Sequence, residues 1–272
     1  MSDKPTDTVF AGSVPELYDL HMVPLIFEPY AEDLARRVAA LDPSRVLEVA
    51  AGTGVVTRAL VRALPASVKI IATDLNQPML NRAAAVGTQR PVVWQQADAM
   101  KLPFDNASFD VVACQFGVMF FPDKSRAYAE MRRVLRPGGV LLFNVWDAIE
   151  HNEFADVVTA TLATVFPADP PRFIARTPHG YHDKQLIARD LANGGFSKPA
   201  SMETIAQRSR ASSAAVPAMA YCQGTPLRNE IEARSGASLS AATAACAEGI
   251  GGRFGRGPVD GKIRAHIVSV ES

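Results

Sequence analysis

Glu48, Asp74 and Asp98 are spaced as a nucleotide-like cofactor would need its acids. Glu48 stands just before a glycine turn, Ala50-Ala51-Gly52-Thr53-Gly54, which opens into Val55-Val56-Thr57. Glycines at 52 and 54 carry no Cβ, so the backbone can bend sharply and come close to a ligand. The N–H groups that begin the next helix are donors without helical partners. A pyrophosphate held at this turn gains nothing from an acid four residues upstream, whereas a ligand bearing an ammonium group does. A nicotinamide or flavin fingerprint also asks for a third glycine at 57, where Thr57 stands. Asp74, 26 residues after Glu48, is placed to accept hydrogen bonds from both hydroxyls of a ribose. Asp98 is placed to accept one from an adenine amino group.

The elements that must position these acids alternate along the chain. Arg45–Ala50, Val68–Thr73, Val92–Ala97, Phe109–Cys114 and Val140–Trp146 read as strands. Val55–Leu64, Pro78–Val86 and Ser125–Leu135 read as helices. Asn76 is a plausible N-cap, and Gly87 and Pro137-Gly138-Gly139 are stops. Strands alternating with helices predict a parallel sheet covered on both faces, with ligands beyond the carboxyl ends of the strands. Glu48, Asp74 and Asp98 fall at three successive ends. After residue 146 the pattern loosens. Phe154–Phe166 and Asp183–Gly194 read as helices around a proline-rich loop, 167–178. Ser197–Ile205 and Lys262–Val270 read as further strands. Between them lies an Ala/Ser/Gly-rich stretch with helices expected at Ala211–Cys222 and Leu239–Glu248. The first 40 residues read as two helices, Val14–Leu20 and Pro29–Leu41, joined by Pro24–Phe27.

Bulk composition excludes some classes. Lys+Arg and Asp+Glu are both 28, so the net charge is zero and a broad basic surface for nucleic acid is not expected. No apolar run is long enough to span a bilayer. Met1–Asp7 has no apolar segment and does not read as a signal peptide. Cys114, Cys222 and Cys246 lack metal-ligand spacing and read as reduced thiols of a cytoplasmic protein, with Cys114 as inert core.

Four ordered segments resemble the class I S-adenosylmethionine-dependent methyltransferases of the ubiquinone/menaquinone-biosynthesis-like (type 11) family. They are Glu48–Gly54, Ala72–Leu80, Ala97–Phe104 running into Ser108–Val112, and Val134–Leu141. Ala50 departs from the pattern, which often has a further glycine there. The resemblance covers about residues 43–146. It implies an α/β, Rossmann-like, doubly wound seven-stranded sheet, mostly parallel with an antiparallel last strand, plus helical cap segments. It also implies one methyltransferase domain, 1–272, with core at about 33–146, 183–206 and 260–272. Cap or substrate segments would then be about 1–32, 147–182 and 207–259.

The resemblance implies residue roles too. Glu48, Ala50, Gly52, Thr53 and Gly54 would surround the methionine part of S-adenosyl-L-methionine, and S-adenosyl-L-homocysteine would be the product. Asp74 would hold the ribose. Leu75 and Met79 would flank the adenine, whose edge would be read by Asp98 with the backbone of Ala99 and Met100. Gln115 and Phe116 would line the site near the sulfonium. Asp110 is expected to serve the turn into its strand instead.

Methyl transfer is a displacement at a carbon activated by positive sulfur, so the protein mainly positions two reactants. A base is required only where the nucleophile must lose a proton. His21, His151 and His179 are the candidates, and no metal site is expected. The acceptor is expected to be a small organic molecule met by the cap segments, where Met219, Tyr221, Leu227 and Phe254 are apolar candidates. O-, N- and C-methylation all stay open, as does a non-catalytic binder of the same fold. A homodimer stays open as well.

Overall fold

The computed structural model describes residues 6–8, 10 and 12–272. Most of the Met1–Asp7 stretch read above for a leader lies outside them. In chain order, a 3₁₀ turn at Thr6–Thr8 precedes α1 (Val14–Leu17), a π-helix (Tyr18–Phe27) and α2 (Glu28–Ala39). Next come β1 (Arg45–Val49), α3 (Val55–Ala63), β2 (Lys69–Asp74), α4 (Gln77–Val86) and β3 (Val93–Gln96). β4 (Phe109–Gln115), a 3₁₀ turn (Val118–Phe120), α5 (Lys124–Val134) and β5 (Leu135–Trp146) follow. The remainder holds a 3₁₀ turn (Ile149–His151), α6 (Glu153–Val165), α7 (Phe173–Arg176), α8 (Lys184–Asn193), β6 (Ser201–Ala211), α9 (Ala215–Gln223), α10 (Leu227–Glu232), α11 (Leu239–Phe254) and β7 (Val259–Glu271).

The seven strands form one sheet in the order β3-β2-β1-β4-β5-β7-β6. β1 pairs in parallel with β2 and β4, β2 with β3, and β4 with β5. β7 runs antiparallel to β5, from Val140↔Glu271 to Trp146↔Ala265. Strand order reverses direction between β1 and β4. In an open α/β sheet, the crevice beyond the carboxyl ends of two such strands is where ligands bind.

The chain divides into two compact units. One holds Glu28–Trp146, Tyr181–Ile205 and Ala265–Ser272; the other holds the segments up to Phe27, Asp147–Gly180 and Ala206–Arg264. In the first unit, α2 and α3 bury their apolar faces on the sheet. Leu34, Ala35 and Val38 of α2 meet Val56, Ala59 and Leu60 of α3, with Val46, Val111, Ala113 and Leu142 beneath them. The i, i+3/i+4 spacing of those helix residues is what makes one continuous apolar stripe.

In the second unit a polar knot is buried around Asp147. The Asp147 carboxylate pairs with the Arg264 guanidinium and also accepts the Ala148 N–H at 2.7 Å. Asn152 Nδ2 donates to the Asp147 carbonyl at 3.2 Å, while its Oδ1 accepts the Arg264 N–H at 3.0 Å. His179 Nδ1 lies 2.8 Å from the same Asp147 carbonyl. No described helix is long and apolar enough to cross a membrane.

Some local expectations are corrected. The segment expected to join two N-terminal helices is itself helical, a π-helix containing Pro24. Proline has no N–H to give the i−4 carbonyl, and widening the turn is one way a helix continues past it. The stop at Pro137-Gly138-Gly139 lies inside β5, which begins at Leu135 opposite Phe109 and passes a register irregularity before Val140. β6 starts and ends later than expected. The turn into a helix that Gly224-Thr225-Pro226-Leu227-Arg228 suggests is present as α10, Leu227–Glu232.

Candidate cofactor site

The residues expected to meet a cofactor all belong to the first unit, around the carboxyl ends of β1, β2, β3 and β4. β1 carries Glu48, which is 1% exposed. Its Oε2 accepts a hydrogen bond from Thr57 Oγ1 on α3 at 2.5 Å. Thr73 Oγ1 donates to its carbonyl at 2.9 Å. Burial disfavours the charged carboxylate and pushes the pKa up to about 8. The Thr57 hydrogen bond and the charge of Arg58 oppose that rise, and the charge of Asp74 adds to it.

After β1 the backbone visits the left-handed region three times, at Ala50 (φ 57°), Gly52 (φ 56°) and Gly54 (φ 84°). Only the two glycines do so without strain. Ala50 is held there by its surroundings. A Cβ built on Gly117, just past β4, would lie 2.5 Å from the Ala50 Cβ. The two turns therefore press on each other. Gly54 has no alternative, since a Cβ there would stand 2.8 Å from the Trp94 ring. Arg58 Nη1 donates to the Thr53 carbonyl at 2.7 Å and closes the loop. Thr53 Oγ1 is buried and has no hydrogen-bond partner among the described residues.

Asp74 ends β2 and is 8% exposed. Its Oδ2 accepts the Gly52 N–H and its Oδ1 the Asn76 N–H, both at 2.8 Å. Burial raises its pKa, against the lowering effect of those backbone donors. The acid thus ties the glycine loop to the start of α4. Asn76 sits at the N-cap position of α4, but its side chain makes no capping bond; its own N–H is held by Asp74 from two residues earlier. Leu75 is 52% exposed, an unusual place for a leucine beside a buried acid. Met79 is buried, with its Cε 3.6 Å from a Cβ placed on Gly52.

Asp98 follows β3, half-buried, with Oδ1 accepting the Met100 N–H at 2.8 Å. Ala99 is buried. The segment is clamped from α5, which the sequence reading did not anticipate. Arg126 Nε donates to the Met100 carbonyl at 3.1 Å. Arg133 donates to the Leu102 and Phe104 carbonyls at 2.9 and 2.7 Å, and Glu130 accepts the Leu102 N–H at 2.8 Å. Gln115 and Phe116 are buried at the end of β4. Phe116 (φ 49°) is stacked on Trp146 with ring centroids 3.8 Å apart and planes 4° apart. Tyr30 meets both rings edge-on.

The three candidate bases belong to the second unit. His21 is half-buried in the π-helix and His151 is half-buried at the end of a 3₁₀ turn. His179 is buried and faces a carbonyl, which only accepts, so its Nδ1 carries the hydrogen. Asp110 accepts the Ser44 and Arg45 N–H groups and pairs with Arg136, at the opposite ends of the strands from the glycine loop. Among the described residues no group of three or more His, Cys, Asp or Glu is placed to hold a metal ion.

Residues 47–143 match the family model described as a methyltransferase domain. A ubiquinone/menaquinone biosynthesis C-methyltransferase, UbiE, from Ralstonia pickettii is 34% identical over 171 residues, covering 58% of this chain and 70% of the relative. A demethylmenaquinone methyltransferase from Deinococcus radiodurans is 41% identical over 114 residues, covering 39% and 47%. The crystal structure of YcgJ from Bacillus subtilis superposes with a TM-score of 0.56 at 18% identity, covering 90% of this chain and 98% of that one, which bears on the fold alone. With a relative matched at that identity over that share of its length, and the sheet order and glycine turn in place, the chain belongs to the UbiE-like family of class I S-adenosylmethionine-dependent methyltransferases and is an enzyme that methylates a small molecule.

Proposed function

We propose that the carboxyl ends of β1, β2, β3 and β4 form the S-adenosylmethionine site. Glu48 balances the ammonium of the methionine part while the turn from Ala50 to Gly54, with Thr53, closes around it. Asp74 receives the ribose hydroxyls. Leu75 and Met79 sandwich the adenine, and Asp98 with the Ala99 and Met100 backbone reads its edge. Gln115 and Phe116 border the sulfonium. The observation that carries this reading is the Asp74 carboxylate, bound at once to the Gly52 and Asn76 N–H groups. It fixes the loop, the acid and the start of α4 in one geometry at the point where strand order reverses. The donor set fits the group: a buried acid for a cation, a second for hydroxyls, an unpartnered Thr53 hydroxyl and an exposed leucine beside them. The bound cofactor supplies a methyl carbon activated by positive sulfur. The chain's own work is to bind, orient and exclude water.

Titration calorimetry tests the assignment. S-adenosylmethionine and S-adenosylhomocysteine should bind, and NAD and NADP should not. Asp74→Ala should weaken S-adenosylhomocysteine by at least about thirtyfold, in keeping with the loss of a charge-assisted bidentate contact. Unchanged affinity in that variant would overturn the assignment.

The acceptor is a finer question. The Ralstonia relative is named for C-methylation in ubiquinone/menaquinone biosynthesis, which makes a quinol-type ring the first class to test. Production of S-adenosylhomocysteine should be compared across hydroquinones, phenols, amines and carboxylic acids. Where the nucleophile carries a proton, His179 is the base to vary first, because the carbonyl at Nδ1 fixes its tautomer. The balanced charge and the three buried free thiols support a cytoplasmic enzyme that does not act on nucleic acid.

A further inference from the structure

We propose that Asn144 is a positioning residue for methyl transfer: it holds the Gln115–Phe116 turn in its left-handed shape and, through Gly117 and Ala50, sets the cofactor loop. The inference rests on the site reading above. Asn144 lies on β5 opposite Gln115, at the last rung where β4 and β5 pair, and is fully buried. A buried carboxamide at a strand end must satisfy its polar atoms, and this one does so on a single turn. Its Oδ1 accepts the Phe116 N–H at 3.0 Å while its main-chain carbonyl accepts the same N–H at 3.1 Å. Its Nδ2 donates to Gln115 Oε1 at 3.3 Å.

The Phe116 N–H is therefore shared between two acceptors of one residue, and the neighbouring side chain is gripped by the same carboxamide. The grip matters because Phe116 has φ 49°, a region that a bulky residue enters only under constraint. Stacking on Trp146 at 3.8 Å supplies the rest of the constraint.

The consequence reaches the glycine loop by contact. Gly117 follows immediately, and its backbone is so close to Ala50 that a Cβ would stand 2.5 Å from the Ala50 Cβ and 2.8 Å from Cys114 Sγ. If Phe116 relaxed to negative φ, Gly117 would swing and Ala50 would lose the wall that keeps it left-handed. The hydrogen bonds of the Asn144 side chain go to Gln115 and Phe116, not to the glycine loop. Asn144 acts through them.

The test uses the full chain and S-adenosylhomocysteine, with calorimetry and near-ultraviolet circular dichroism of the tryptophan bands. Asn144→Ala should raise Kd at least tenfold and diminish the Trp146 band while the far-ultraviolet spectrum stays native. Asn144→Asp keeps an oxygen acceptor for the Phe116 N–H and should recover affinity to within about fivefold of wild type. The decisive measurement is a double-mutant cycle. Glycine enters the left-handed region freely, so in a Phe116→Gly background Asn144→Ala should cost less than twofold. Equal costs in both backgrounds would reduce Asn144 to an ordinary core residue and overturn the proposal, as would wild-type affinity in Asn144→Ala. If Asn144→Ala does not fold, the cycle is run with Asn144→Leu, which keeps the volume and removes both polar atoms, and its dependence on Phe116 decides in the same way. Failure of wild type to bind S-adenosylhomocysteine would instead strike the site reading itself, so the two failures are distinct.

Discussion

Cofactor affinity should depend on pH through Glu48, and the size of the dependence follows from its burial. The carboxyl has a pKa of about 8 in the protein without ligand, because desolvation outweighs the Thr57 hydrogen bond and the Arg58 charge. At pH 7 only about a tenth of the molecules carry the carboxylate that an ammonium group prefers. Selecting that fraction costs about 1.4 kcal/mol at pH 7 and about 2.7 kcal/mol at pH 6. The observed Kd for S-adenosylhomocysteine should therefore fall about tenfold from pH 6 to 7 and about fivefold from pH 7 to 8. Calorimetry in buffers of different ionisation enthalpy should detect release of about 0.9 proton per ligand at pH 7. Glu48→Gln should bind with no such slope and no proton release. The window stops at pH 8 because the ligand's own ammonium titrates beyond it. A wild-type Kd that is flat between pH 6 and 8 would refute the argument, whether because Glu48 is already ionised or because it does not meet the ammonium.

Stability should carry the same signature with the opposite dependence. The folded pKa of Glu48 lies above its ordinary 4.5, so the folded state holds the proton more tightly, and stability falls as pH rises from about 4.5 to 8. Glu48→Gln should flatten that decline and raise the ligand-free Tm at pH 8, read by calorimetric scans. Gly54→Ala places a methyl 2.8 Å from the Trp94 ring at φ 84°, so thermal melts should show a loss of about 2 kcal/mol or more and titration should show weaker S-adenosylhomocysteine binding. Ala50→Gly relieves a left-handed alanine at the cost of unfolded-state entropy, and should leave Tm unchanged or raise it by about 2 °C. Arg264→Ala leaves the buried Asp147 carboxylate without its cation and should destabilise the protein by about 2–4 kcal/mol in urea melts.

β1, β2 and β4 were legible in the sequence because each is a short, mostly apolar run. Glu48 and Asp74 stood out because a carboxylate at the end of an apolar run needs a reason. What was hidden has physical causes. Asn144 looks like any polar residue near the end of a strand, and its grip on Phe116 depends on a pairing register that only the folded sheet supplies. The clamp of Arg126, Glu130 and Arg133 on residues 100–104 joins segments about thirty positions apart, outside any local pattern. The Pro137-Gly138-Gly139 stretch carries a strong turn signal, yet pairing of Leu135 with Phe109 draws it into β5. Asn76 occupies the N-cap position that its residue type suggests, but its side chain makes no capping bond, and N2 is Pro78, which has no N–H to give.

The chain alternates between its two units through six successive segments, and two of the five changeovers fall within regular elements. The one at 205–206 lies within β6 and the one at 264–265 within β7. There is thus no place to trim this protein to its cofactor half. A fragment ending at Trp146 would keep β1 to β5, but β5 would lose its antiparallel partner along Val140–Trp146. That edge, Val140-Leu141-Leu142-Phe143-Asn144-Val145-Trp146, is an uncharged apolar strand with open backbone donors and acceptors, the kind that pairs with other copies of itself. The final eight residues, 265–272, therefore act as a built-in solubility device for a strand laid down more than a hundred residues earlier.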